Sequence, residues 1–385
     1  MKILYILHTT ELHGSTISFL NMASGLIKFG VEIYLVIPRH NTLFESIAKK
    51  YDVSNFIISK VALSFYPKRK KGIQDFLLYY FRLPMVYVKL CYRKYRFYRE
   101  LKIIVAETRP DIIHTNTGVI AEGYIVAKLF SIPHVWHIRE YQEKDFFWNI
   151  FPSKKLFIRC LKDSNVITIT NDLRNYFHQD LNNNALTIYN GILHCKEREF
   201  LWPKENYFLC ASRISPEKGI DDVIKAFGLF YTGHKNYHLC LLGSGNDNYI
   251  NHLKTLALEK CCLEAIEFLG FQKDVKPYMR KARALVVASY YEGFGRMTAE
   301  ACFCGCIVIG RDTGGTKEIL EKTGGFLFND IEGLLSMMNR VVDLNVGNYK
   351  GMANNASNIA SLNYSIEANV EGVYKLYKKI CKDDN

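Results

Sequence analysis

The hydrophobic positions of this chain form short runs that alternate with longer amphipathic patterns almost from end to end. The run KILYILH is followed by a loop ending at Gly14, by the amphipathic stretch STISFLNMASGLIKFG and by the run VEIYLVIP. Later runs are DIIHT, HVWHI, VITIT and ALTIY, each ending in polar or loop-forming residues. Short apolar runs that alternate with helical patterns are typical of βαβ units, so the chain is predicted to form parallel sheets.

The alternation starts again near residue 207, with the runs NYFLCASR, YHLCLLG, AIEFLG, ALVVAS and CIVIG. We predict an N-terminal domain over residues 1–190, a polar linker over 191–206 and a C-terminal domain over 207–362. An amphipathic helix is predicted within 363–385, and the N-terminal domain is one candidate surface for it to pack on. The predicted fold class is α/β, with two Rossmann-like, doubly wound domains facing across a cleft. Ligands are expected in that cleft, at the carboxyl ends of the strands.

The composition agrees with a globular protein, because 49% of the 385 residues are hydrophobic and 23% are charged. No apolar run approaches the roughly 18 residues that a transmembrane helix needs, and the first run is predicted to be a strand rather than a signal peptide. Eleven cysteines at irregular positions predict reduced thiols and a cytoplasmic protein. Cys302, Cys304 and Cys306 lack the paired spacing of zinc ligands, so internal packing is favoured and no metal site is predicted.

The net charge of +12 is concentrated in one segment, residues 67–102, which carries eleven Lys or Arg, two acids and nine aromatic residues. Its cations include Arg93, Lys94, Arg96 and Arg99. Interleaved cations and aromatic rings suit an anionic membrane surface, which is the favoured interpretation. A helical hairpin with inward aromatic residues remains an alternative, and nucleic acid is the least favoured partner.

Two loops at predicted strand ends carry features of a phosphate site. Arg213 follows a strand, and Lys218 lies five residues later, just before a helix begins. Two cations and a helix N-terminus suit a diphosphate, although solvated loop charges are an equal alternative. Gly243 and Gly245 form a G-x-G pair that lacks the full dinucleotide fingerprint, which lowers the expectation of a nicotinamide cofactor.

The segment YYEGFGRMTAE places Glu292 before a flexible turn and Glu300 on the helix predicted to follow it. Gly293 and Gly295 let the backbone turn sharply at this point. A carboxylate accepts hydrogen bonds from vicinal hydroxyls, so two carboxylates that bracket a phosphate site suit a nucleotide sugar. Dipole stabilisation alone is the alternative explanation for Glu300.

The order of Arg213, Lys218, FLGF, S-x-x-E-G-F-G-x-x-x-x-E-A, CGCIVI and DTGGTxEI over residues 207–330 resembles the retaining glycosyltransferases of the GT-B fold, the group 1 or GT4 family. The resemblance implies that Glu300 holds a ribose, that Glu292 contacts sugar hydroxyls and that the two cations hold the diphosphate. It also implies that the FLGF loop lines the base. The implied donor-binding set is Gly14, Arg213, Lys218, Phe271, Glu292, Gly293, Phe294, Gly295, Thr298 and Glu300.

A histidine at a strand end of the first domain commonly faces the donor sugar in this family. His137 is our choice, ahead of His114, and either side chain is alternatively a structural residue at its strand end. Arg139, Glu140 and Glu143 follow His137 where an acceptor could bind, with surface charge as the alternative. Unlike the family, which usually has two adjacent glycines in its first turn, this chain has His13 and Gly14. It also has Ile307 and Lys317 where proline is common.

The resemblance implies transfer of a hexosyl group from a UDP- or GDP-sugar to a glycan or lipid-linked oligosaccharide, with retention and without a metal or other cofactor. Glu292 and His137 are the residues assigned to catalysis. Bacterial surface polysaccharide assembly, as lipopolysaccharide or capsule, is the expected process. The expected location is the cytoplasmic face of the plasma membrane. A sugar-nucleotide epimerase of similar architecture and an inactive glycosyltransferase-like partner subunit are the alternatives.

Overall fold

The computed structural model describes residues 1–12, 14–68, 73–144 and 148–383. It divides into two compact units. The N-terminal unit comprises Met1–Gly191 together with the chain from Asn369 onward, and the C-terminal unit comprises Ile192–Ala368.

The sheet of the N-terminal unit has seven strands in the order β3-β2-β1-β5-β6-β8-β9, and every pair is parallel. Its strands are β1 (Lys2–Ile6), β2 (Glu32–Ile37), β3 (Asn55–Ile58), β5 (Ile112–Thr115), β6 (His134–Ile138), β8 (Asn165–Thr168) and β9 (Ala185–Thr187). The strands β4 (Phe65–Pro67) and β7 (Trp148–Ile150) form a separate antiparallel pair. The helices are α1 (Gly14–Lys28), α2 (Thr42–Lys50), α3 (Ile73–Thr108), α4 (Glu122–Phe130), α5 (Lys154–Lys162) and α6 (Asn171–Tyr176).

The C-terminal unit contains a six-stranded parallel sheet in the order β12-β11-β10-β13-β14-β15. Its strands are β10 (Tyr207–Ala211), β11 (His238–Leu242), β12 (Ile266–Gly270), β13 (Ala284–Val287), β14 (Val308–Arg311) and β15 (Phe326–Phe328). Its helices are α7 (Ile220–Tyr231), α8 (Asp247–Glu259), α9 (Lys276–Lys281), α10 (Arg296–Phe303), α11 (Gly314–Thr323), α12 (Ile331–Val342) and α13 (Val346–Tyr364). The two doubly wound parallel sheets predicted from the sequence are therefore confirmed.

The boundaries of the units differ from the predicted domain limits. The segment predicted as a linker over 191–206 belongs to the C-terminal unit from Ile192 onward. Ile192 donates its backbone N–H to the Tyr364 carbonyl at 2.9 Å, and Leu193 is bridged to Ser365, so this stretch is fixed by hydrogen bonds. The last helix, α14 (Ile366–Asp383), enters the N-terminal unit at Asn369 rather than at residue 363.

The basic aromatic segment is mostly one helix, α3, which has 36 residues. The alternative of a helical hairpin is wrong for the described residues, because no Gly, Asn or Asp interrupts residues 76–108 and the helix continues through Pro84. Residues 69–72 lie outside the described part. Phe97 and Leu101 are fully buried in the core against α4, which anchors the second half of the helix. None of the described helices combines the length and the apolarity needed to cross a bilayer.

Candidate functional site

Four of the described helices of the C-terminal unit begin without a side-chain cap; one is the short helix α9, and the other three follow three neighbouring strands. Helices α7, α10 and α11 begin after Gly219, Gly295 and Thr313 and follow β10, β13 and β14. By contrast, α8, α12 and α13 are capped by the side chains of Asn246, Asp330 and Asn345. An N-terminus that no side chain caps presents N–H groups and a positive dipole end, so this edge of the sheet suits an anion.

The loop before α7 packs against the end of β13 at a position where only glycine fits. Gly219 has φ of 65°, and a Cβ there would lie 2.3 Å from the Ala288 carbonyl oxygen. This close approach brings Nζ of Lys218 to 3.1 Å from Oε2 of Glu292, and both side chains are about one-fifth to one-quarter exposed. The tertiary structure thus pairs one predicted phosphate ligand with one predicted sugar ligand.

Arg213 lies on the same loop, and its side chain is 69% exposed. Its Nη2 is 2.5 Å from Oε1 of Glu217, an exposed pair that contributes little to stability. Gly243 and Gly245 hold this loop in place, because a Cβ at these positions would lie 1.8 Å from the Ser212 carbonyl and 2.3 Å from the Ile214 carbonyl. The G-x-G pair therefore has a packing role, next to the backbone that carries Arg213.

Glu300 is the most buried carboxylate of the predicted set, with a side chain 8% exposed. Burial raises the pKa of this carboxyl group, and the Arg296 guanidinium, whose Nε donates to Oε1 at 2.8 Å, partly offsets that effect. A carboxylate with little solvent around it gains more from two hydroxyl donors than an exposed one does. Thr298 is fully buried, and its hydroxyl lies 3.3 Å from that of Thr316, which ties α10 to α11.

The turn between the two glutamates is wedged against the start of α11. A Cβ on Gly315 would lie 2.2 Å from the Phe294 carbonyl oxygen, and the Gly315 N–H donates to the Glu292 carbonyl at 2.8 Å. Gly295 has φ of 88°, a left-handed conformation that favours glycine. The Phe294 ring is buried and packs edge-on against Tyr364, with centroids 5.9 Å apart. Any approach of a ligand to this residue is therefore by its backbone.

Two further residues of the predicted set lie at loop ends. Phe271 follows β12, and its side chain is 74% exposed. Gly14 is the exposed first residue of α1, and His13 beside it lies outside the described residues. Gly315 was not in the predicted set, although it lies against the turn that carries Glu292 and Phe294. The sequence feature that marks this glycine is the pair in TGGT, which follows an apolar run. Such a pair lets another backbone approach the start of a helix.

In the N-terminal unit, the structure brings His114 and His137 together at the ends of neighbouring strands. Nε2 of His114 lies 3.2 Å from Nδ1 of His137, and both rings are fully buried. Burial, with Arg139 as the next cause, holds the pKa of each imidazole well below its usual range, so both are neutral at physiological pH. His114 uses both ring nitrogens, whereas Nε2 of His137 has no hydrogen-bond partner among the described residues.

The charged residues after His137 form contacts inside the N-terminal unit. Glu140 accepts hydrogen bonds from the Thr117 hydroxyl at 2.6 Å and the Gly118 N–H at 2.8 Å, and burial raises its pKa. Glu143 pairs with Lys154 at 3.3 Å. The interpretation of Arg139 and Glu140 as surface charges is wrong, because their exposed fractions are 7% and 9%.

Gln142 is a residue that the sequence interpretation missed. It is 3% exposed and has φ of 61°, a left-handed conformation that is rare outside glycine. Neither its amide oxygen nor its amide nitrogen has a partner within the described ranges. A left-handed backbone and a buried side-chain amide without a partner are both features that concentrate at functional sites, and no sequence pattern marks them.

Cys302, Cys304 and Cys306 are all buried, and burial raises the pKa of each thiol to about 12. Thiols with such pKa values stay protonated, whereas a metal binds the thiolate. The described residues contain no cluster of His, Cys, Asp or Glu suited to a metal ion.

Two family models match consecutive parts of the chain. "Glycosyltransferase Family 4" matches residues 12–193, and "Glycosyl transferases group 1" matches residues 196–358. An uncharacterized glycosyltransferase of Methanocaldococcus jannaschii is 27% identical over 303 residues, which are 74% of this chain and 79% of that one. The alpha-monoglucosyldiacylglycerol synthase of Acholeplasma laidlawii is 25% identical over 361 residues, 84% of this chain and 83% of the synthase.

The fold is that of known glycosyltransferase structures. The crystal structure of HepE from Anabaena in complex with UDP is similar with a TM-score of 0.78 at 17% identity, covering 98% of this chain and all of that one. Together, the matched models span most of the chain, and the two parallel sheets have the expected topology. The chain belongs to the group 1, or family 4, glycosyltransferases and has the GT-B fold.

Proposed function

We propose that this glycosyltransferase moves a hexosyl group from a UDP- or GDP-sugar to a hydroxyl of a glycan or lipid-linked oligosaccharide, with retention at the anomeric carbon and without a metal ion. The proposal rests on the groups that the structure brings together at one edge of the C-terminal sheet. There the Lys218–Glu292 pair and the buried Glu300 lie in or beside loops that lead into helices without side-chain caps. This edge offers cations, helix dipoles and hydroxyl acceptors together, which is the set a nucleoside diphosphate sugar requires.

Each group has a chemical role in the proposal. The leaving diphosphate gains negative charge as the glycosidic bond breaks, and Arg213, Lys218 and the helix N-termini stabilise that charge. Glu300 accepts from the ribose hydroxyls, and Glu292 accepts from the transferred sugar. Lys218 then exchanges part of its contact with Glu292 for a phosphate oxygen. The Arg213–Glu217 ion pair is exposed and contributes little to stability. Arg213 can therefore exchange Glu217 for a phosphate oxygen with little loss of free energy.

The donor and acceptor classes are supported by relatives. HepE of Anabaena has been solved with UDP-glucose. The name of the Acholeplasma relative describes the synthesis of a glucosylated diacylglycerol. We propose the corresponding classes here, namely a nucleotide-sugar donor and a membrane-held saccharide acceptor. Bacterial surface polysaccharide assembly at the cytoplasmic face of the membrane is the proposed setting.

A thermal-shift series with UDP-glucose, UDP-galactose, UDP-N-acetylglucosamine and GDP-mannose tests the donor. We expect one of them at about 100 times its Kd to stabilise the fold by about 2.7 kcal/mol, which raises Tm by roughly 5–10 °C. Acceptor-dependent nucleotide release that persists in EDTA, with a product of unchanged anomeric configuration, would support metal-independent, retaining transfer. Interconversion of the free nucleotide sugar would indicate an epimerase instead, and no shift with any donor would count against the proposed site.

The exposed face of α3 supports the membrane part of the proposal. Five large apolar side chains there are 60–82% exposed and follow one another at spacings of four and three residues, namely Phe81, Met85, Val88, Tyr92 and Tyr95. Arg82, Lys89, Arg93 and Arg99 are exposed on the same helix. An apolar stripe flanked by cations suits the interface of an anionic bilayer. Lys94, which the sequence grouped with these cations, is not on that surface, because it is paired with Glu122 inside the unit.

Charge reversal of Arg82, Arg93 and Arg99 to Glu is expected to weaken binding to phosphatidylglycerol vesicles. Each cation near an anionic surface contributes about 1 kcal/mol, so the partition coefficient should fall by at least about 100-fold in a sedimentation assay. The matched control reverses Lys155, Arg159 and Lys162 on α5, which are also exposed and change the net charge equally. Equal loss in both variants would indicate net charge alone, and unchanged binding of the α3 variant would refute this face.

A further inference from the structure

Gln142 lies at the centre of a tight turn that follows β6. The Glu143 N–H donates to the Tyr141 carbonyl at 2.7 Å, which closes a three-residue turn around Gln142, whose φ is 61°. A three-residue turn with a positive φ at its centre is rare and strained. Such a conformation persists only where the surrounding structure holds it, so the packing around this turn fixes the position of Gln142.

The residues on either side of Gln142 hold the turn in place. Tyr141 is buried, and its hydroxyl donates to the Asp172 carboxylate on α6. The Glu143 carboxylate lies 3.3 Å from Nζ of Lys154 on α5. Both neighbours therefore have partners, whereas the side chain between them has none among the described residues.

The Gln142 amide is enclosed beside Gly118, in the loop that follows β5. Its Nε2 and Oε1 are both buried and both lack a hydrogen-bond partner in the part of the chain that the structure describes. A Cβ on Gly118 would lie 2.2 Å from Nε2 of Gln142 and 3.3 Å from the side chains of Ile138 and Phe157. The amide thus lies directly over Gly118, next to apolar atoms. It has lost water without gaining bonds inside the protein, which makes it ready to bind a polar ligand.

The charged groups near this turn are already engaged, so the group left over is a neutral one. Glu140 accepts from the Thr117 hydroxyl and the Gly118 N–H. Glu143 is paired with Lys154. A side-chain amide has two N–H donors and an acceptor oxygen, and each hydroxyl of a sugar both donates and accepts. One amide can therefore pair with two adjacent hydroxyls, and a saccharide suits it better than an ion does.

We propose that the Gln142 amide binds the acceptor saccharide, with its NH2 group donating to one hydroxyl oxygen and its oxygen accepting from an adjacent hydroxyl. The acceptor is favoured because the charged residues proposed for the donor lie in the C-terminal unit. The loop that carries Gly118 also leads into α4, whose first residue Glu122 pairs with Lys94 on the proposed membrane helix α3. The assignment to the acceptor rests on the proposed function, whereas the binding of a saccharide does not. The amide is covered in this conformation, so the side chain turns outward when the ligand binds.

NMR of protein labelled with nitrogen-15 in its glutamine side chains tests the contact without donor or turnover. The chain has four glutamines, namely Gln74, Gln142, Gln179 and Gln272, and the Gln142→Met variant assigns its signal by the loss of it. The probes are octyl glycosides of glucose, galactose, mannose and N-acetylglucosamine, used below their micellar concentrations. We expect at least one probe to shift the Gln142 signal and to leave that of Gln179 in place. No response of Gln142 to any of the four probes, or an equal shift of both signals, would overturn the proposal.

The stability of Gln142→Met tests whether the amide is unpaired. Methionine is similar in length but has no polar group to bury, so we expect Tm at or above that of the wild type. Gln179→Met is the matched control, because the buried Gln179 amide donates to the Phe177 carbonyl at 2.9 Å and accepts from Asn182 at 2.8 Å. That variant should lower Tm by at least about 3 °C. Equal falls in the two variants would show that Gln142 has an internal partner and would overturn the proposal.

Kinetics separate the acceptor from the donor. With the glycoside that binds best as acceptor, we expect kcat/KM for that acceptor to fall roughly 10- to 100-fold in Gln142→Met, because two neutral hydrogen bonds are lost. The thermal shift by the donor should not change. Gln142→Asn, which keeps an amide and tolerates the left-handed backbone, should retain part of the activity. A matching loss of donor binding would place the contact on the donor and overturn the acceptor assignment. Because glycoside binding is observed without turnover, its failure is distinguishable from failure of the proposed transfer.

Discussion

Glu300→Gln is expected to lower kcat/KM for glycosyl transfer by roughly 100- to 1,000-fold. In the proposed site the carboxylate accepts two ribose hydroxyls, and hydrogen bonds to a charged group contribute about 1.5–3 kcal/mol each, so losing part of both costs about 3–4 kcal/mol. The amide keeps the size of the side chain but replaces one acceptor oxygen with a donor. The measurement is donor-dependent nucleotide release, with thermal shift by the same donor as a direct reading of binding.

The same variant is expected to be more stable than the wild type at neutral pH. Burial raises the pKa of Glu300 above its unfolded value of 4.5, so the native state holds its proton more tightly than the unfolded state does. Stability from this group is therefore present below pH 4.5 and is lost as pH rises through the folded pKa. Glutamine has no charge to bury, so its advantage in Tm should be larger at about pH 8 than at about pH 4.

Glu332→Gln is the matched control for Glu300→Gln, since Glu332 is an exposed acid in the first turn of α12. It removes the same charge from the same unit and should change neither donor use nor Tm appreciably. A Glu300→Gln enzyme with full activity would refute the site. A variant that loses activity together with a large fall in Tm would instead indicate a structural role for the Arg296–Glu300 pair.

Lys94→Met is expected to destabilise the N-terminal unit by about 3–5 kcal/mol, because it leaves a buried carboxylate without its cation. Nζ of Lys94 lies 2.6 Å from Oε1 of Glu122, and the side chains are 13% and 2% exposed. Lys94 also donates to the Ser64 hydroxyl at 2.6 Å. For a unit of this size the fall in Tm should be roughly 10 °C, measured by calorimetry or circular dichroism.

A double-mutant cycle separates the ionic interaction between Lys94 and Glu122 from the packing of their side chains. Lys94→Met with Glu122→Leu replaces both ions by apolar groups and should recover much of the lost stability. Lys128→Met is the control, because Lys128 and Asp163 form an ion pair in which both side chains are 57% exposed, and its loss should cost under about 1 kcal/mol. Equal effects of Lys94→Met and Lys128→Met would show that the Lys94–Glu122 pair is solvated in solution.

The elements of the fold were predictable because their signals are local. Runs such as HVWHI became strands that are buried along their whole length, as parallel strands covered on both faces must be. The family resemblance rested on motifs within residues 207–330, where order and spacing are visible in the sequence, and the family match confirmed it. The roles of the individual site residues remain predictions.

The contacts within the site were not predictable, because they join distant segments. Lys218 and Glu292 are 74 positions apart, and Gly219 brings them together by letting the backbone pass close to Ala288. Tyr377 meets His114 across 263 positions, because α14 returns to the N-terminal unit. No pattern of polar and apolar residues along the chain indicates such long-range contacts.

The sequence by itself determined two parallel α/β units, the family and the residue types that suit a nucleotide sugar, because periodicity and motif spacing are carried by the chain directly. Only the tertiary structure decided which charges face solvent. Lys94 is neutralised in the interior while Arg93 beside it stays exposed, and burial is a property of what packs around a side chain. The tertiary structure likewise decided that the guanidinium of Arg139, held by Asn116 and Asn190, lies against the His137 ring.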